Sequence, residues 1–352
     1  MELGKDFYIL AGFRAVMICL GIEATAHTFG IAVLDGKKVL SNVTDSYTTK
    51  KGGMVPSDVA DHHVAVCDSV LKQALAKAKV KLKDIGLVAY SEGPGLGHTL
   101  RIGAFTAKLI AGRLGVPLVG VNHCIAHLEI GNLVTGAEDP VMLYASGANT
   151  QVIAYEGRKY RVFGESLDQG VGNFLDSFAR YAGLGFPGGP VIYKLALNGR
   201  KFIELPYTVK GMDVSFGGLL TNVKQKFDSG RYKLEDLCYS IQETVFAMLL
   251  EVSERAMAHC GKEELLFGGG VCCNKRLQEM AALMCKERGA KLFVPENQFL
   301  VDNAAMIAWL GILMAKNKRN HKKIETAGIK PYERTDDVKV NWQMADKNKK
   351  LN

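Results

Sequence analysis

Apolar residues along the chain fall into short runs separated by small polar turns, and one arrangement of runs occurs twice. Met17–Ile22 reads as a strand, Glu23–Gly30 as a turn of small polar residues and Ile31–Leu34 as a second strand. Asp35–Lys37 is a tight turn and Lys38–Val43 a third strand. About 125 residues later the order returns as Val141–Ala145, the turn Ser146–Thr150, Gln151–Tyr155, the turn Glu156–Arg158, and Lys159–Phe163. A repeated strand–loop–strand–turn–strand unit predicts a duplicated fold with two similar lobes. Behind the first unit come a long helix at Pro56–Lys79, a buried strand at Ile85–Ser91, a helix at Thr99–Leu114, a strand at Val116–Val121 and a helix opening at His123. Behind the second come helices at Asp168–Ala182, Gly189–Leu197, Leu234–Cys260, Cys273–Arg288 and Val301–Lys316, with strands at Glu264–Phe267 and Lys291–Val294. Strands alternating with helices predict a doubly wound α/β fold with a cleft between lobes. The expected divisions are an extension at 1–16, a first lobe at 17–138, a second lobe with helical insertions at 139–330 and a tail at 331–352.

Composition adds limits rather than detail. The chain of 352 residues is long enough for two domains, and 48% hydrophobic with 23% charged residues is ordinary for a soluble globular protein. Phe7–Ile22 is apolar apart from Arg14, but it falls short of the ~20 residues a membrane-spanning helix needs. It also lacks a basic start and a small-residue cleavage site, so no membrane association and a cytoplasmic location are expected. Eight cysteines without CxxC or disulfide-like spacing point to a reducing compartment. The net charge of +8 hints at a polyanionic partner. The basic stretches Lys316–Lys323 and Lys347–Lys350 read first as solvated surface.

Candidate chemistry gathers at His123-Cys-Ile-Ala-His127. Two imidazoles four residues apart lie on one helix face, one turn apart, and can close on a single metal ion. Asn122 is placed to cap that helix. No Glu follows His123, so this is not the HExxH of a zinc protease. Asp302, before the apolar stretch Ala304–Leu313, is either the cap of that helix or the third ligand of a His-His-carboxylate set. Asp176 is either a solvated helix residue or a functional carboxylate. Tyr144 reads more readily as core than as ligand. Four Gly-rich stretches fall at strand ends: Gly93–Gly97, Ser146–Thr150, Gly188–Pro190 and Gly268–Gly270, the last followed by Asn274. Glycine lets backbone amides approach phosphate oxygens, so four such loops favour a nucleotide cleft. None is a P-loop and none is GxGxxG, which excludes the usual NTPase and dinucleotide patterns.

The ordered set of Gly93-Pro-Gly-Leu-Gly97 with Leu100-Arg101, Asn122–His127, Ser146-Gly147 with Asn149-Thr150-Gln151, Val209–Asp213 with Ser215-Phe216, Phe293-Val-Pro295 and Asp302-Asn303 resembles the universal tRNA threonylcarbamoyl transferase family. That family includes the catalytic subunit of the KEOPS complex. The resemblance runs from about Met17 to Trp342, in the archaeal or eukaryotic form. It implies the two-lobed fold of the actin, Hsp70 and sugar kinase superfamily. It implies transfer of a threonylcarbamoyl group from L-threonylcarbamoyl-adenylate to N6 of the adenosine 3′ of the anticodon, position 37, in tRNAs reading ANN codons, with AMP leaving. By resemblance His123, His127, Tyr144 and Asp302 bind one iron or zinc ion. The loop Tyr144, Ala145, Ser146, Gly147 and Ala148 contacts the substrate. Asp176, Gly189, Tyr193 and Asn274 line the site of the adenylate, or an ATP-like nucleotide. Implied partners are tRNA, an atypical kinase, a small dimerisation subunit on Pro56–Lys79 or Thr99–Leu114, and a further small subunit. A separate synthase supplies the adenylate.

The chain departs from the family pattern at four places. Ala148 stands for a second Gly, Tyr193 for a Glu that holds the ribose hydroxyls, Gly217 for a Ser, and Cys272-Cys273 for two Ala. Two other classes compete. One is an ATP-hydrolysing or sugar-phosphorylating enzyme of the same superfamily, which usually has an Asp where this chain has Glu23. The other is a non-catalytic scaffold.

Overall fold

The computed structural model describes residues 17–49 and 54–342. The expected extension at 1–16 and the basic stretch Lys347–Lys350 lie outside the described residues. The first half runs β1 (Ile18–Glu23), β2 (Thr28–Asp35), β3 (Lys38–Ser46), α1 (Pro56–Ala78), β4 (Leu87–Gly93), α2 (Gly97–Leu114), β5 (Leu118–Asn122) and α3 (His123–Thr135). The second runs β6 (Val141–Ala145), β7 (Thr150–Glu156), β8 (Lys159–Glu165), α4 (Val171–Tyr181), α5 (Gly188–Ala196), β9 (Val209–Lys210), β10 (Asp213–Val214), α6 (Gly217–Asp228) and α7 (Leu234–Cys260). It continues through β11 (Glu264–Gly268), α8 (Lys275–Arg288), β12 (Lys291–Phe293), α9 (Asn297–Leu300) and α10 (Ala304–Ala315).

The two large sheets repeat one topology. Their strand orders are β3-β2-β1-β4-β5 and β8-β7-β6-β11-β12. In each, the first three strands of the half pair antiparallel and the last two add in parallel. The duplication expected from the apolar runs is therefore present strand for strand. β1, β4, β5 and β6 are buried along nearly their whole length, as strands covered on both faces must be. These are the layers of an α/β fold, and α4 to α6 are additions that the first half lacks.

Helices cross between the halves. α3 follows the first sheet but packs on β11 of the second, and α10 follows the second sheet but lies across β1, β2, β4 and β5 of the first. α10 is apolar on every side, and buried residues run unbroken from Ala304 to Gly311. It approaches β1 so closely that a Cβ on Gly21 would stand 2.4 Å from the Ala304 carbonyl oxygen and 2.5 Å from the Ala308 nitrogen. The stretch after α10 returns to the first sheet, where Lys322 N donates to Leu118 O and Lys330 N to Glu92 O.

Several boundaries differ from the expected ones by a few residues, and four of them have a clear local reason. β2 starts at Thr28 rather than Ile31, because Thr28 and Phe29 already pair with Ser46 and Asp45 of β3. α4 starts at Val171 rather than Asp168, whose carboxylate accepts from Ser215 Oγ (2.6 Å) and Gly217 N (2.6 Å) instead. The helix expected from Cys273 splits into a 3-10 turn, Gly270–Cys273, and α8, which Asn274 caps. The last helix starts at Ala304 with Asn303 as its cap, accepting from Met306 N at 3.1 Å. All eight cysteines are free thiols, as the spacing implied.

His63 on α1 gives the fold a pH dependence. Its ring is fully buried, lies edge-on to Phe29 at 5.4 Å, and leaves Nε2 without a hydrogen-bond partner among the described residues. Burial, with His62 adding to it, lowers its pKa from 6.5 to about 4. The unfolded chain therefore binds the proton first, and stability falls as pH drops from about 6.5 towards 4. The loss reaches at most about 3 kcal/mol. Urea midpoints of metal-free protein should fall over that window and flatten in His63→Leu; equal slopes in both would refute the assignment.

Candidate metal centre and nucleotide cleft

Local sequence builds the centre from three segments. Asn122 ends β5 in an extended conformation, and its Oδ1 accepts from Cys124 N and Ile125 N, which starts α3 at His123. Asn122 Nδ2 donates to Glu333, so the C-terminal stretch holds the cap in place. β6 delivers Tyr144 beside α3. Because Asn303 caps α10, the neighbouring Asp302 is left to turn its carboxylate to the histidines. Nε2 of both His123 and His127 lies 3.3 Å from Asp302 Oδ1, and Tyr144 Oη lies 2.9 Å from His123 Nε2. One ligand atom each from His123, His127 and Asp302 falls within 4.8 Å of the others. Nitrogen and carboxylate donors converging in a buried pocket fit an ion such as iron or zinc.

Sequence reasoning placed Glu23 only where related enzymes usually have an Asp, and missed its position behind His123. It is fully buried, and its Oε2 lies 3.1 Å from His123 Nδ1 while Oε1 accepts from Thr25 N at 2.7 Å. Thr25 Oγ1 also reaches His123 Nδ1, at 3.2 Å. A carboxylate behind an imidazole fixes the ring and its tautomer, leaving Nε2 for a ligand. For that role the sequence offers an acidic residue ending an apolar strand, which is weak by itself.

Charges in the pocket are unequal. Burial works against a charged His123, but Tyr144, Glu23 and Asp302 outweigh it and hold its pKa well above the usual value. Burial pushes His127 down, so it stays neutral. For Asp302 burial alone would favour the acid, yet His123 and His127 hold it well below the usual carboxylate range. Without an ion, the site is an Asp302–His123 ion pair beside a neutral imidazole. A cation would displace the proton on His123.

The Gly-rich loops stack backbone on backbone around this point. Gly172 N and Asn173 N, at the start of α4, donate to Ser146 O and Gly147 O. A Cβ on Gly172 would stand 2.7 Å from Ser146 O, and one on Gly269, which has φ +91°, would stand 2.3 Å from Ala145 O. Asp176 Oδ1 accepts from Gly188 N (2.7 Å) at the start of α5. Burial raises its pKa although the amides of Gly188 and Gly189 pull the other way. Asn274 is largely committed, since its Oδ1 caps α8 and its Nδ2 donates to Gln242 (2.9 Å).

A family profile described as tRNA N6-adenosine threonylcarbamoyltransferase (TsaD) matches residues 38–309. A protein of that name from Thermococcus sibiricus is 54% identical over 326 residues, covering 93% of this chain and all of the relative. The chain belongs to the tRNA N6-adenosine threonylcarbamoyltransferase family. A probable bifunctional tRNA threonylcarbamoyladenosine biosynthesis protein of Methanocaldococcus jannaschii is 52% identical; the match covers 95% of this chain and 62% of that protein. Among solved structures, full-length HypF in its phosphate- and nucleotide-bound form aligns with a TM-score of 0.59 at 10% identity, covering 84% of this chain and 55% of HypF. Component A of (R)-2-hydroxyglutaryl-CoA dehydratase from Acidaminococcus fermentans aligns at 0.56 and 15%, covering 86% of this chain and all of that one. At such identities the likeness speaks for the fold alone.

Within the threonylcarbamoyltransferase family, the departures of this chain have physical readings. Ala148 is exposed, so its methyl meets solvent. Gly217 donates its N–H to Asp168, and an added Cβ would stand 2.9 Å from Asp168 Oδ2. Cys272 is buried, with Sγ 3.2 Å from Gly268 O. Tyr193 is half-buried on α5, the helix that Asp176 holds at its start. No helix among the described residues is long and apolar enough to cross a membrane.

Proposed function

We propose that this chain transfers the threonylcarbamoyl group from L-threonylcarbamoyl-adenylate to N6 of adenosine 37 in tRNAs reading ANN codons, releasing AMP. The observation that carries the proposal is the convergence of His123, His127, Asp302 and Tyr144 in one buried pocket of a chain from this family. His123, His127 and Asp302 hold one Fe2+ or Zn2+, with Tyr144 as the fourth ligand. The ion supplies a Lewis acid for the carbamoyl or carboxylate oxygens. Glu23 holds the His123 ring with Nε2 facing the pocket. The loop Tyr144–Ala148 meets the acyl and phosphate groups. Asp176, Gly189, Asn274 and Tyr193 take the ribose and base. The lobes are 17–138 and 139–330, with helices α3 and α10 exchanged between them.

Val64 on α1 and Phe105 and Leu109 on α2 are 60–69% exposed on helices that pack together. That apolar face supports docking of the small dimerisation subunit, and the atypical kinase and a further small subunit complete the assembly. Glu23 also weighs against the phosphotransferase alternative, because its carboxylate is engaged by His123 and Thr25. A transfer assay with purified threonylcarbamoyl-adenylate and tRNA, with and without those partners, tests the proposal. Modified adenosine should form, far faster in the assembled complex. No product in either arm, or equal rates in both, would overturn the function or the partner dependence respectively.

Tyr193 bears on the nucleotide. A Tyr hydroxyl makes one hydrogen bond to a ribose where a carboxylate makes two. Tyr193→Glu is expected to tighten adenylate binding by about 1–2 kcal/mol. Calorimetry showing equal or weaker binding would place Tyr193 away from the ribose.

A further inference from the structure

Charge is concentrated in one part of the molecule. The segment 171–233, comprising α4 to α6 and the β9–β10 hairpin, holds nine basic and four acidic residues, a net +5. The remaining described residues hold 28 basic and 29 acidic, a net −1. Lys194, Arg200, Lys201, Lys210, Arg231 and Lys233 are all exposed. None of the nine forms an ion pair within 4 Å among the described residues, whereas Lys262, Arg276, Lys322, Lys330 and Arg334 elsewhere all do. Unpaired cations on one added segment are costly through mutual repulsion unless an anion meets them.

The same segment exposes aromatic rings. Tyr181, Phe202 and Tyr207 are 44%, 53% and 49% exposed. Lys224 sits over the Tyr181 ring at 4.8 Å, and Lys226 over Tyr232 at 5.3 Å. Cations interleaved with exposed rings are the surface that binds single-stranded nucleic acid, with phosphates on the cations and bases on the rings. Position favours this segment as well. α4 opens on the loop after β6 through Gly172 N and Asn173 N, one strand end away from Tyr144. The other basic run, Lys316–Lys323, begins beyond the far end of α10, about 18 Å along that helix from Asp302.

We infer that segment 171–233 is the docking face for the anticodon arm of tRNA, its cations taking backbone phosphates and its exposed rings stacking unpaired loop bases. This rests on the transfer reaction proposed above, since only that reaction requires an anticodon-loop adenosine to reach the centre.

The test uses the full chain and a fluorescent anticodon stem-loop RNA, with binding followed by anisotropy between 50 and 200 mM salt. The triple variant Lys201→Ala, Lys210→Ala, Lys233→Ala is expected to bind at least about tenfold more weakly. Its log-affinity against log-salt slope should be shallower by about 0.9 for each phosphate that is no longer neutralised. Phe202→Ala should weaken the stem-loop about tenfold and leave a fully paired RNA of equal length unchanged. The control pair Lys318→Ala, Lys323→Ala should bind as the parent does. Thermal midpoints verify that each variant is folded. Parent-like affinity and slope in the triple variant, or an equal loss in the control pair, would overturn the inference. The two readings fail separately. A complex that modifies tRNA with unaltered dependence on RNA concentration in the triple variant sinks the docking face alone. A parent complex that makes no product, with RNA affinity still lost in the triple variant, sinks the transfer reaction alone.

Discussion

His123→Ala and Asp302→Ala are each expected to lose the bound iron or zinc and nearly all transfer activity while remaining folded. Removing a group behind a metal ligand typically costs 10–100-fold in metal affinity or activity, so removing a ligand should exceed about 100-fold. Glu23→Gln, which keeps the shape of the group behind His123 but not its charge, should fall within that smaller range. Folding should survive because each variant leaves the remaining charged group a recourse. Asp302 is 17% exposed and can turn to water when His123 is gone, and His123 keeps Glu23 when Asp302 is gone. Elemental analysis giving full metal content in both alanine variants would remove His123 and Asp302 from the ligand set.

Gly21→Ala, on the central strand of the first sheet, should destabilise the protein severely. The added carbon would stand 2.4–2.8 Å from backbone and side-chain atoms of Ala304 and Ala308, which cannot swing away. Overpacking costs about 1–3 kcal/mol and more where backbone must move. The expected result is a loss of at least about 3 kcal/mol by urea midpoint, with weaker metal binding because α10 carries Asp302 at its start. Gly112→Ala is the contrast. There the new carbon meets only Ile324 Cδ1, at 3.4 Å, inside α2, and the change should be neutral or gain up to about 1 kcal/mol. A Gly21→Ala protein as stable as the parent would mean that α10 and β1 do not lie against each other.

Much of this was legible in the sequence for physical reasons. The strands announced themselves because both sheets are covered on two faces, so β1, β5 and β6 are unbroken apolar runs. The histidine pair was legible because i and i+4 share a helix face, and Asn122 marked where that helix starts. What stayed hidden depended on partners distant in the chain. Asp302 and Asn303 are adjacent polar residues before one helix, and only the fold shows that Asn303 caps it while Asp302 faces the histidines. Glu23 is separated from His123 by 100 residues. Asp168 left its expected helix for the amides of Phe216 and Gly217, far along the chain. α6 was missed because Gly217-Gly218 followed by mostly polar residues carries the marks of a loop.

The exchange of α3 and α10 sets the order in which the chain can fold during synthesis. The last strand of the first sheet ends at Asn122, but the helix that roofs it spans Ala304–Ala315, roughly 180 residues later. At about 5–20 residues per second the ribosome takes on the order of 10–40 s to deliver that helix. Throughout that interval the face of β1, β2, β4 and β5 that α10 covers lacks that helix. The first half is therefore expected to become stable only once α10 is available. A chain truncated before Ala304 is expected to expose that face and aggregate, and a soluble monomer from such a truncation would refute this.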